Sequence, residues 1–326
     1  MLKPPYVCNG CNKRYVCQLK KFIYRADIAQ KQYEATLSES RQGFNLDQKQ
    51  VNIINEILTP LVNNNQSLYH IFTNNKDKLM LSERTLYRLV DANVLTVKNI
   101  DLPKKVKYRP RKKSKELKID KFCTEGRKYE DYLNYIADGN DYPVVEMDTL
   151  EGKKGGPVLL TLFFTSCNLQ LAFKREANTA KSVIDIFDYL YEILGHDNFV
   201  TLFRIIVTDN GSEFSNPSAI EFNSKGERRT RIFYCNPRNP DQKGACEKNH
   251  VEIRKIFPKG TPLDDFSQDD INLAISHINS YLRKKLNNKS PYSVFSSFYD
   301  KKILDILNIQ YIEPNSVLLK PILLSK

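Results

Sequence analysis

Along the middle of the chain, the spacing of apolar positions alternates between that of strands and that of helices. Apolar runs predict five strands. The first three lie at residues 143–149, 158–165 and 169–175, the fourth ends at Asp209, and the fifth lies at residues 231–235. Helical spacing predicts a helix over residues 179–194, a short one near 218–222 and a third that follows Gly244. This alternation indicates an α/β core over residues 135–300.

Residues 26–100 are predicted to be mostly helical. One helix is expected to stop before Pro60, a short one lies near residues 67–72, and Ser82 is placed to cap another at 83–91. The last two resemble a helix-turn-helix, which would place Arg84, Tyr87 and Arg88 against DNA. The alternative is a plain helical hairpin whose apolar residues pack a small core.

The C-terminal part carries two more apolar segments. A capped helix is predicted over residues 267–286 because its apolar residues share one face. The tail, residues 301–326, is too apolar for a disordered segment. It is expected to pack back on the core or to join a partner subunit.

A basic linker is predicted over residues 101–125, and a domain boundary is placed near it. Ten lysines and arginines fall between positions 104 and 121, and prolines keep the segment extended. Basic arms of this kind follow the phosphate backbone. The predicted DNA contacts are Lys105, Arg109, Arg111, Lys112 and Lys113. The alternative is a solvated hinge.

Composition narrows the class of partner. The 326 residues carry a formal net charge of +12, and the pI is about 9.2. Such an excess favours an anionic polymer such as DNA, although a merely solvated basic surface is the competing interpretation. No apolar stretch is long enough to span a membrane and no secretory signal is visible, so a cytoplasmic, nucleoid-associated protein is expected.

The first 25 residues carry Cys8, Cys11 and Cys17. Thiolates at C-x-x-C spacing can hold one Zn²⁺, which makes these three a candidate structural zinc site. Only three of the four usual ligands are present, so ordinary reduced thiols are the alternative. The seven cysteines of the chain suit a reducing interior.

Three acidic residues stand at the ends or on the faces of the predicted core elements. Asp148 lies in the first strand, Asp209 ends the fourth, and Glu247 lies on the helix after Gly244. Taken singly, such residues are usually turn, cap or solvated ion-pair residues. Together they could hold two Mg²⁺ ions for phosphoryl chemistry, because hard cations prefer carboxylate oxygens.

Three stretches carry a resemblance to a known family. They are TDNGSEF at residues 208–214, NPRNPDQKGACEKNHVEIRKIFPKGT at 236–261, and YLRKKLNNKSPYSVF at 281–295. They resemble bacterial insertion-sequence DDE transposases, above all the family labelled insertion sequence thirty. The resemblance implies an integrase-type, ribonuclease H-like core, with a mixed five-stranded sheet flanked by helices and preceded by a helical DNA-binding region.

The same resemblance implies an activity. Asp148, Asp209 and Glu247 fall on the catalytic triad of the family, which uses Mg²⁺, or Mn²⁺ in its place, to nick DNA and join the freed 3′-hydroxyl to a target. The implied partners are terminal inverted repeats, target DNA and further copies of the chain. Family members carry a further upstream DNA-binding region, so a truncated, non-catalytic DNA-binding product is the alternative. A nuclease of the same fold that cuts without joining is a third reading.

Several side chains near the triad are candidate supporting groups. His250 shares the helix face of Glu247 and is expected to contact a metal-bound water or the scissile phosphate, the alternative being that it simply caps the site. Arg254 lies two turns from Glu247 and is expected to contact phosphate. Lys243 is a weaker candidate, because lysines of exposed helices are usually solvated. Strand alternation places Glu146 on the same side as Asp148, where it is a bystander or supports the site. Glu213 is expected to be a supporting polar residue.

Overall fold

The computed structural model describes residues 7–39, 43–103, 105, 122–140, 142–236 and 239–324. By contacts the chain divides into two compact units, Met1–Val51 and Asn52–Lys326. The helices are α1 Ala26–Glu39, α2 Gln48–Asn63, α3 Leu68–Leu79, α4 Glu83–Asp91, α5 Tyr129–Ala137, α6 Ala180–Leu202, α7 Pro217–Glu221, α8 Gly244–Ile256, α9 Gln268–Ser280, α10 Pro291–Phe298 and α11 Lys302–Ile306. The strands are β1 Val144–Glu151, β2 Val158–Phe164, β3 Leu169–Arg175, β4 Ile205–Thr208 and β5 Arg231–Tyr234.

The five strands form one mixed sheet in the order β3-β2-β1-β4-β5. Strands β1, β2 and β3 are antiparallel neighbours, whereas β4 runs parallel to both β1 and β5. This order and these directions are those of a ribonuclease H-like fold, as the sequence predicts. The parallel pairing of Met147 with Thr208 brings the carboxyl end of β4 beside the middle of β1.

The main hydrophobic core includes side chains on both faces of β1, β2 and β3 and continues into the C-terminal helices. Buried side chains of β1, β2 and β3 pack with those of α6, α8, α9 and α10, and residues of the tail join them. All seven residues of β2 are buried, which agrees with a sequence, VLLTLFF, that is apolar except for Thr161. On the far side of β5, Tyr132 and Tyr135 of α5 pack against Phe233.

Two helix ends differ from the sequence prediction. Helix α2 continues through Pro60 to Asn63, because a proline inside a helix removes only one backbone donor and the preceding turns are well packed. Helix α9 stops at Ser280 rather than near residue 286. There Tyr281 turns into an extended conformation, stacks on His70 and donates a hydrogen bond to Ser67 Oγ.

The predicted helix over residues 179–194 is found, with Thr179 as its cap, but helical structure continues to Leu202. Gly195 adopts φ 73° and ψ 167°, so two helical segments meet at this residue. A residue with a side chain would be strained at that φ. The sequence located the end of the first segment and missed the second.

The helices between residues 52 and 100 belong to the same compact unit as the sheet. Gln66 donates a hydrogen bond to the carbonyl of Val317, and the buried ring of His70 contacts the carbonyl of Pro314 at 2.9 Å. The tail therefore packs back, as one of its two expected fates. The boundary predicted near residues 101–125 does not coincide with the observed division after Val51, because these buried contacts join the helices to the end of the chain.

In the part of the chain that the structure describes, no helix combines the length and apolar character required to cross a membrane.

Candidate metal-binding site on two adjacent parallel strands

Asp148 and Asp209 meet at one edge of the sheet. Asp148 is the residue after Met147 in β1, and Asp209 follows Thr208, the last residue of β4. Because Met147 and Thr208 are paired in register, the two aspartates are the next positions on adjacent parallel strands. The Asp148 side chain is 17% exposed and that of Asp209 is 53% exposed. The Asp148 carboxylate is thus largely buried, whereas the Asp209 carboxylate is open to solvent.

A buried ammonium group joins these two carboxylates. Lys243 Nζ lies 3.1 Å from Asp148 Oδ1 and 3.5 Å from Asp209 Oδ2, and it donates a hydrogen bond to the carbonyl of Met147 at 3.0 Å. Burial alone would lower the pKa of Lys243, but the two aspartates outweigh it and the pKa is raised. The expectation of a solvated, DNA-facing lysine is therefore wrong, because Lys243 precedes α8 and points into the sheet edge.

The stretch TDNGSEF ties the end of β4 to both neighbouring strands. Thr208 Oγ1 donates to the carbonyl of Met147 in β1, and Asn210 Nδ2 donates to the carbonyl of Cys235 beyond β5. Asp209 Oδ1 accepts a hydrogen bond from the Gly211 amide at 3.2 Å, which turns the carboxylate. These contacts fix the backbone around Asp209, so the point from which its exposed side chain extends is well defined.

A side chain at Gly211 would have to displace the carboxylate of Glu213. A Cβ atom added at Gly211 would lie 2.6 Å from Glu213 Oε2. Glu213 is itself buried. Burial lowers the pKa of Arg175, and the nearby negative charge of Glu213 opposes that lowering. Glu213 is therefore a largely buried carboxylate that lines the same cleft as Asp148 and Asp209, and its supporting role stays a prediction.

The first turn of α8 is anchored on β1. Glu146 Oε2 accepts a hydrogen bond from the Cys246 amide at 2.6 Å. A carboxylate at this end of a helix satisfies a free amide and suits the helix dipole. Burial raises the pKa of Glu146, against the opposing effects of this hydrogen bond and of Lys243. Glu146 thus orients the helix that carries Glu247.

His250 lies one turn further along α8 and faces β1 and β2. Its Nε2 lies 2.8 Å from Thr161 Oγ1 and 3.5 Å from Cys246 Sγ, and its Nδ1 lies 3.7 Å from Asp148 Oδ2. Burial, aided by the charges of Lys243 and Arg254, lowers the pKa of His250 to about 4. The imidazole is therefore neutral near pH 7, and its contact with Asp148 is not an ion pair.

Glu247 occupies the exposed side of the first turn of α8. Across the described ranges, the one set of three metal-capable side chains whose ligand atoms all lie within 4.8 Å of one another is Asp148, Cys246 and His250. The structure therefore brings Asp148 and Asp209 together. It places Glu247 on the adjacent helix, near Glu146, where its carboxylate does not form a three-residue cluster with the two aspartates.

A cleft of about 620 Å³ opens over the two aspartates. Basic side chains line it beside the acids: Lys154 from the turn after β1, Arg254 from α8, and Lys259 from the segment after α8. Arg254 donates a hydrogen bond to the carbonyl of Glu151 at 2.7 Å, which fixes its guanidinium at the rim. Lys154 and Lys259 are not among the residues predicted from the sequence, although they lie in the lysine-bearing turns EGKKGG and PKGT.

The predicted recognition helix forms as α4. Ser82 Oγ accepts a hydrogen bond from the Thr85 amide, and Leu86, Leu89 and Val90 are buried. The predicted DNA contacts lie on the other side of α4, where Arg84 and Arg88 are exposed and Tyr87 is half-buried. Both interpretations of the sequence agree with this geometry, since the apolar side packs a small core and the basic side faces away from it.

Of the remaining predicted contacts, the structure describes Lys105 and the three cysteines. Lys105 pairs with Asp91 at 2.9 Å, whereas Arg109, Arg111, Lys112 and Lys113 lie outside the described residues. Cys8, Cys11 and Cys17 are free cysteines with partial or full exposure, and they form no ligand cluster of the kind found at Asp148. Zinc at these cysteines stays a prediction.

Several curated proteins are similar to this chain, whereas no protein-family model matches it. An integrase (ORF3) of Spiroplasma virus SpV1-R8A2 B is 26% identical over 267 residues, which cover 81% of this chain and 79% of that protein. A protein described as a transposase of the insertion-like sequence element IS1161 of Streptococcus salivarius is 27% identical over 195 residues, 59% of this chain and 52% of the relative. The chain is related to integrases and insertion-sequence transposases.

The family resemblance carried by the motifs is confirmed by a third relative. The transposase InsI of insertion sequence element IS30A from Escherichia coli is 33% identical over 64 residues, which cover 20% of this chain and 17% of that protein. Among solved structures, the catalytic core domain of BIV integrase is 17% identical to this chain. The superposition covers 49% of this chain and 97% of that domain, with a TM-score of 0.34. The strand order and directions, rather than this limited overlap, define the fold.

Proposed function

We propose that this chain is a DDE-type transposase that cleaves DNA and transfers a 3′-hydroxyl end to a target, with Asp148, Asp209 and Glu247 as its catalytic carboxylates. The observation that carries the proposal is the placement of Asp148, within β1, beside Asp209, which directly follows the adjacent parallel strand β4, with one buried cation, Lys243, between the two carboxylates. The relation to named transposases and integrases supports the same class of reaction.

The residues at this edge fit a hard divalent cation. Two carboxylates approach a common positive group to 3.1 and 3.5 Å, and oxygen donors of this kind are those that Mg²⁺ and Mn²⁺ prefer. Asp148 and Asp209 would hold the ions together with Glu247 from α8. The chemistry that paired ions supply in phosphoryl transfer is activation of the attacking oxygen and stabilisation of the leaving one.

The protein's own groups prepare the site for that chemistry. Lys243 keeps the two carboxylates close by offsetting their repulsion, and neutral His250 adds no charge beside Asp148. Glu146 fixes the start of α8, so it determines where Glu247 stands relative to β1. Water or a 3′-hydroxyl is the nucleophile, and no covalent enzyme intermediate is required.

DNA is proposed to cross the cleft along its basic side. Lys154, Arg254 and Lys259 line the same opening as the two aspartates, and such side chains bind phosphates without reading sequence. The exposed face of α4, with Arg84 and Arg88, is proposed to bind the ends of the element. Because two ends must be joined in one event, the active form is proposed to be a homo-oligomer on DNA.

The test is a strand-transfer assay with purified full-length chain. Labelled duplexes from both flanks of its gene are mixed with a target plasmid and either Mg²⁺ or Ca²⁺. Wild type is compared with Asp209→Asn and with Asp197→Asn, which changes an exposed acid on α6 as a matched control. Mg²⁺-dependent joined product that is lost in Asp209→Asn and kept in Asp197→Asn would support the proposal.

Two other outcomes would replace the proposal. Binding of the flanking duplexes without cleavage in any metal would indicate a DNA-binding product that lacks catalysis. Nicking without joined product would indicate a nuclease of the same fold. Activity retained by Asp209→Asn would remove the pair of Asp148 and Asp209 from the mechanism.

A further inference from the structure

Cys246 and His250 stand one helical turn apart on α8, on the side that faces the sheet. Their ligand atoms, Sγ and Nε2, are 3.5 Å apart, and the Asp148 carboxylate approaches the other side of the imidazole at 3.7 Å. One ligand atom from each of the three residues lies within 4.8 Å of the others. This cluster combines a thiol, an imidazole and a carboxylate, unlike the all-oxygen pair of Asp148 and Asp209.

The separation of Sγ and Nε2 suits a metal ion. For Zn–S and Zn–N bonds of about 2.3 and 2.05 Å at a tetrahedral angle, the two ligand atoms stand roughly 3.5 Å apart. Two ligands at i and i+4 of one helix are a recurring way to present such a pair. Little rearrangement is therefore required of Cys246 and His250, which would exchange the present contact between Nε2 and Thr161 Oγ1 for the metal.

The donor types select the kind of ion. Thiolate and imidazole favour soft or borderline ions such as Zn²⁺, Cd²⁺ and Co²⁺ over Mg²⁺, which keeps to oxygen ligands. On binding, the Cys246 thiol proton leaves to solvent as the sulfur–metal bond forms. Asp148 Oδ2 lies 3.7 Å from the other ring nitrogen, Nδ1, so it would complete a three-ligand set only by turning towards Nε2 and Sγ, while its Oδ1 stays held by Lys243 and by the Thr149 amide. A water molecule would take the fourth position.

We propose that Asp148, Cys246 and His250 form a second metal site for a soft or borderline divalent ion, and that its occupation removes Asp148 from its pair with Asp209 and inhibits the enzyme. The proposal that these three residues bind a metal ion stands on geometry alone. The proposal that the bound ion inhibits the enzyme rests on the proposed strand-transfer function.

Binding is tested with Co²⁺, which gives a sulfur-to-metal charge-transfer absorption when a thiolate is bound. The background protein is the full chain with Cys8, Cys11 and Cys17 changed to Ser, so that these three thiols do not contribute. In it, Cys246→Ser and Cys246→Ala are compared with Cys167→Ser, a buried cysteine outside the cluster. Far-ultraviolet circular dichroism checks that each variant is folded.

The expected result is one thiolate-bound Co²⁺ per chain in the background protein and in Cys167→Ser. The absorption should be absent from both Cys246 variants, and His250→Gln should weaken binding by about tenfold or more, in line with the loss of one ligand. An unchanged absorption in a folded Cys246 variant, or no absorption at saturating Co²⁺ in the background protein, would overturn the site.

Inhibition is tested by adding Zn²⁺ to the Mg²⁺-supported strand-transfer assay. Cys246→Ser should require at least tenfold more Zn²⁺ for half-inhibition than wild type or Cys167→Ser. Equal sensitivity of all three proteins would overturn the proposal that the bound ion inhibits the enzyme. If no protein transfers strands in Mg²⁺ alone, the proposed function fails, and the Co²⁺ absorption still decides whether the site exists.

Discussion

Lys243 Nζ lies 3.1 Å from Asp148 Oδ1, and the lysine side chain is only 7% exposed. A buried ammonium at this distance offsets the charge that two neighbouring carboxylates would otherwise leave uncompensated. It also occupies the side of Asp148 and Asp209 where a divalent cation would bind. The fold therefore carries its own counter-ion at the proposed catalytic position, and an incoming metal must share these oxygens with it or displace it.

We expect Lys243→Met to make the stability of the protein depend on metal. Without Mn²⁺ the variant should be less stable by about 1–3 kcal/mol, because the two carboxylates lose their buried partner while Asp209 keeps contact with water. Mn²⁺ should then raise its melting temperature more than it raises that of wild type, since no ammonium competes for the oxygens. Thermal unfolding with and without Mn²⁺ measures both effects.

The matched control for this experiment is Lys248→Met, which removes an exposed lysine from the same helix. It should show the wild-type response to Mn²⁺. A Lys243→Met protein whose melting temperature responds to Mn²⁺ no more than the control would contradict the competition between ammonium and metal.

Glu247 and Glu213 provide a test of the third carboxylate. Glu247 is exposed on α8, whereas Glu213 is 8% exposed and lines the same cleft as Asp148 and Asp209. We expect Glu247→Gln to lower strand transfer by at least about 100-fold, which equals about 2.7 kcal/mol of transition-state stabilisation. Its unfolding free energy should change by less than about 0.5 kcal/mol, as for other surface positions.

Glu213→Gln should show the opposite balance, with a measurable loss of stability and a smaller loss of activity. Strand-transfer rates and urea unfolding of the two variants are compared side by side. If Glu213→Gln abolishes transfer while Glu247→Gln remains active, the third catalytic carboxylate is Glu213, and the assignment carried over from the family resemblance is wrong.

Much of this site could be predicted because it depends on local patterns. The five strands and the capped helix α4 follow from hydrophobic period and from Ser82, both of which act over a few residues. These features need no knowledge of which distant side chains fill the space between the elements. The adjacency of Asp148 and Asp209, in contrast, is implied by the family resemblance through its ribonuclease H-like fold and not by a local pattern.

The features that could not be predicted depend on contacts between distant parts of the chain. Nothing near Lys243 in the sequence indicates that its side chain enters the sheet edge, 95 positions after Asp148 (243 − 148 = 95). The early end of α9 depends likewise on the stacking of Tyr281 on His70. One signal was present and overlooked, namely the i, i+4 spacing of Cys246 and His250, which predicts that both lie on one face of a helix.

Two buried histidines should make the protein sensitive to acid. His70 Nδ1 accepts a hydrogen bond from the Leu282 amide, and His277 Nδ1 accepts one from the Leu318 amide, both at 3.0 Å. A protonated Nδ1 cannot accept either bond. Burial lowers the pKa of both histidines from 6.5 to about 4, so the folded state disfavours the proton that the unfolded chain takes up.

The sign of the effect follows from this difference. Because the folded pKa is below the unfolded pKa, the contribution to stability is complete above about pH 6.5 and is lost as the pH falls towards about 4. Each histidine should cost on the order of 2 kcal/mol between pH 7 and pH 5. We expect His70→Asn to be less stable at pH 7 but to lose less stability over this interval.

Urea unfolding at several pH values measures this slope. His196→Asn, which changes an exposed histidine on α6, serves as the control and should keep the wild-type pH dependence. A His70→Asn protein with the same loss between pH 7 and pH 5 as wild type would show that this ring does not contribute to the acid sensitivity.

Gly152 sets the position of the segment that carries Lys259. A Cβ atom added at Gly152 would lie 2.5 Å from the carbonyl oxygen of Thr261 and 2.9 Å from Leu263 Cγ. The first of these atoms belongs to the backbone, so the segment after α8 must move rather than a flexible side chain. Both turns line the cleft above Asp148 and Asp209.

We therefore expect Gly152→Ala to lower the unfolding free energy by about 1–3 kcal/mol and to reduce strand transfer by roughly tenfold through displacement of Lys259. Gly156→Ala is the matched control from the same turn, because its added Cβ would meet Asp264 Oδ2 only at an ordinary 3.6 Å. The control should stay near wild type in both measurements. Equal behaviour of the two variants would mean that the segment after α8 adjusts freely, and that the position of Lys259 is not set by contact with Gly152.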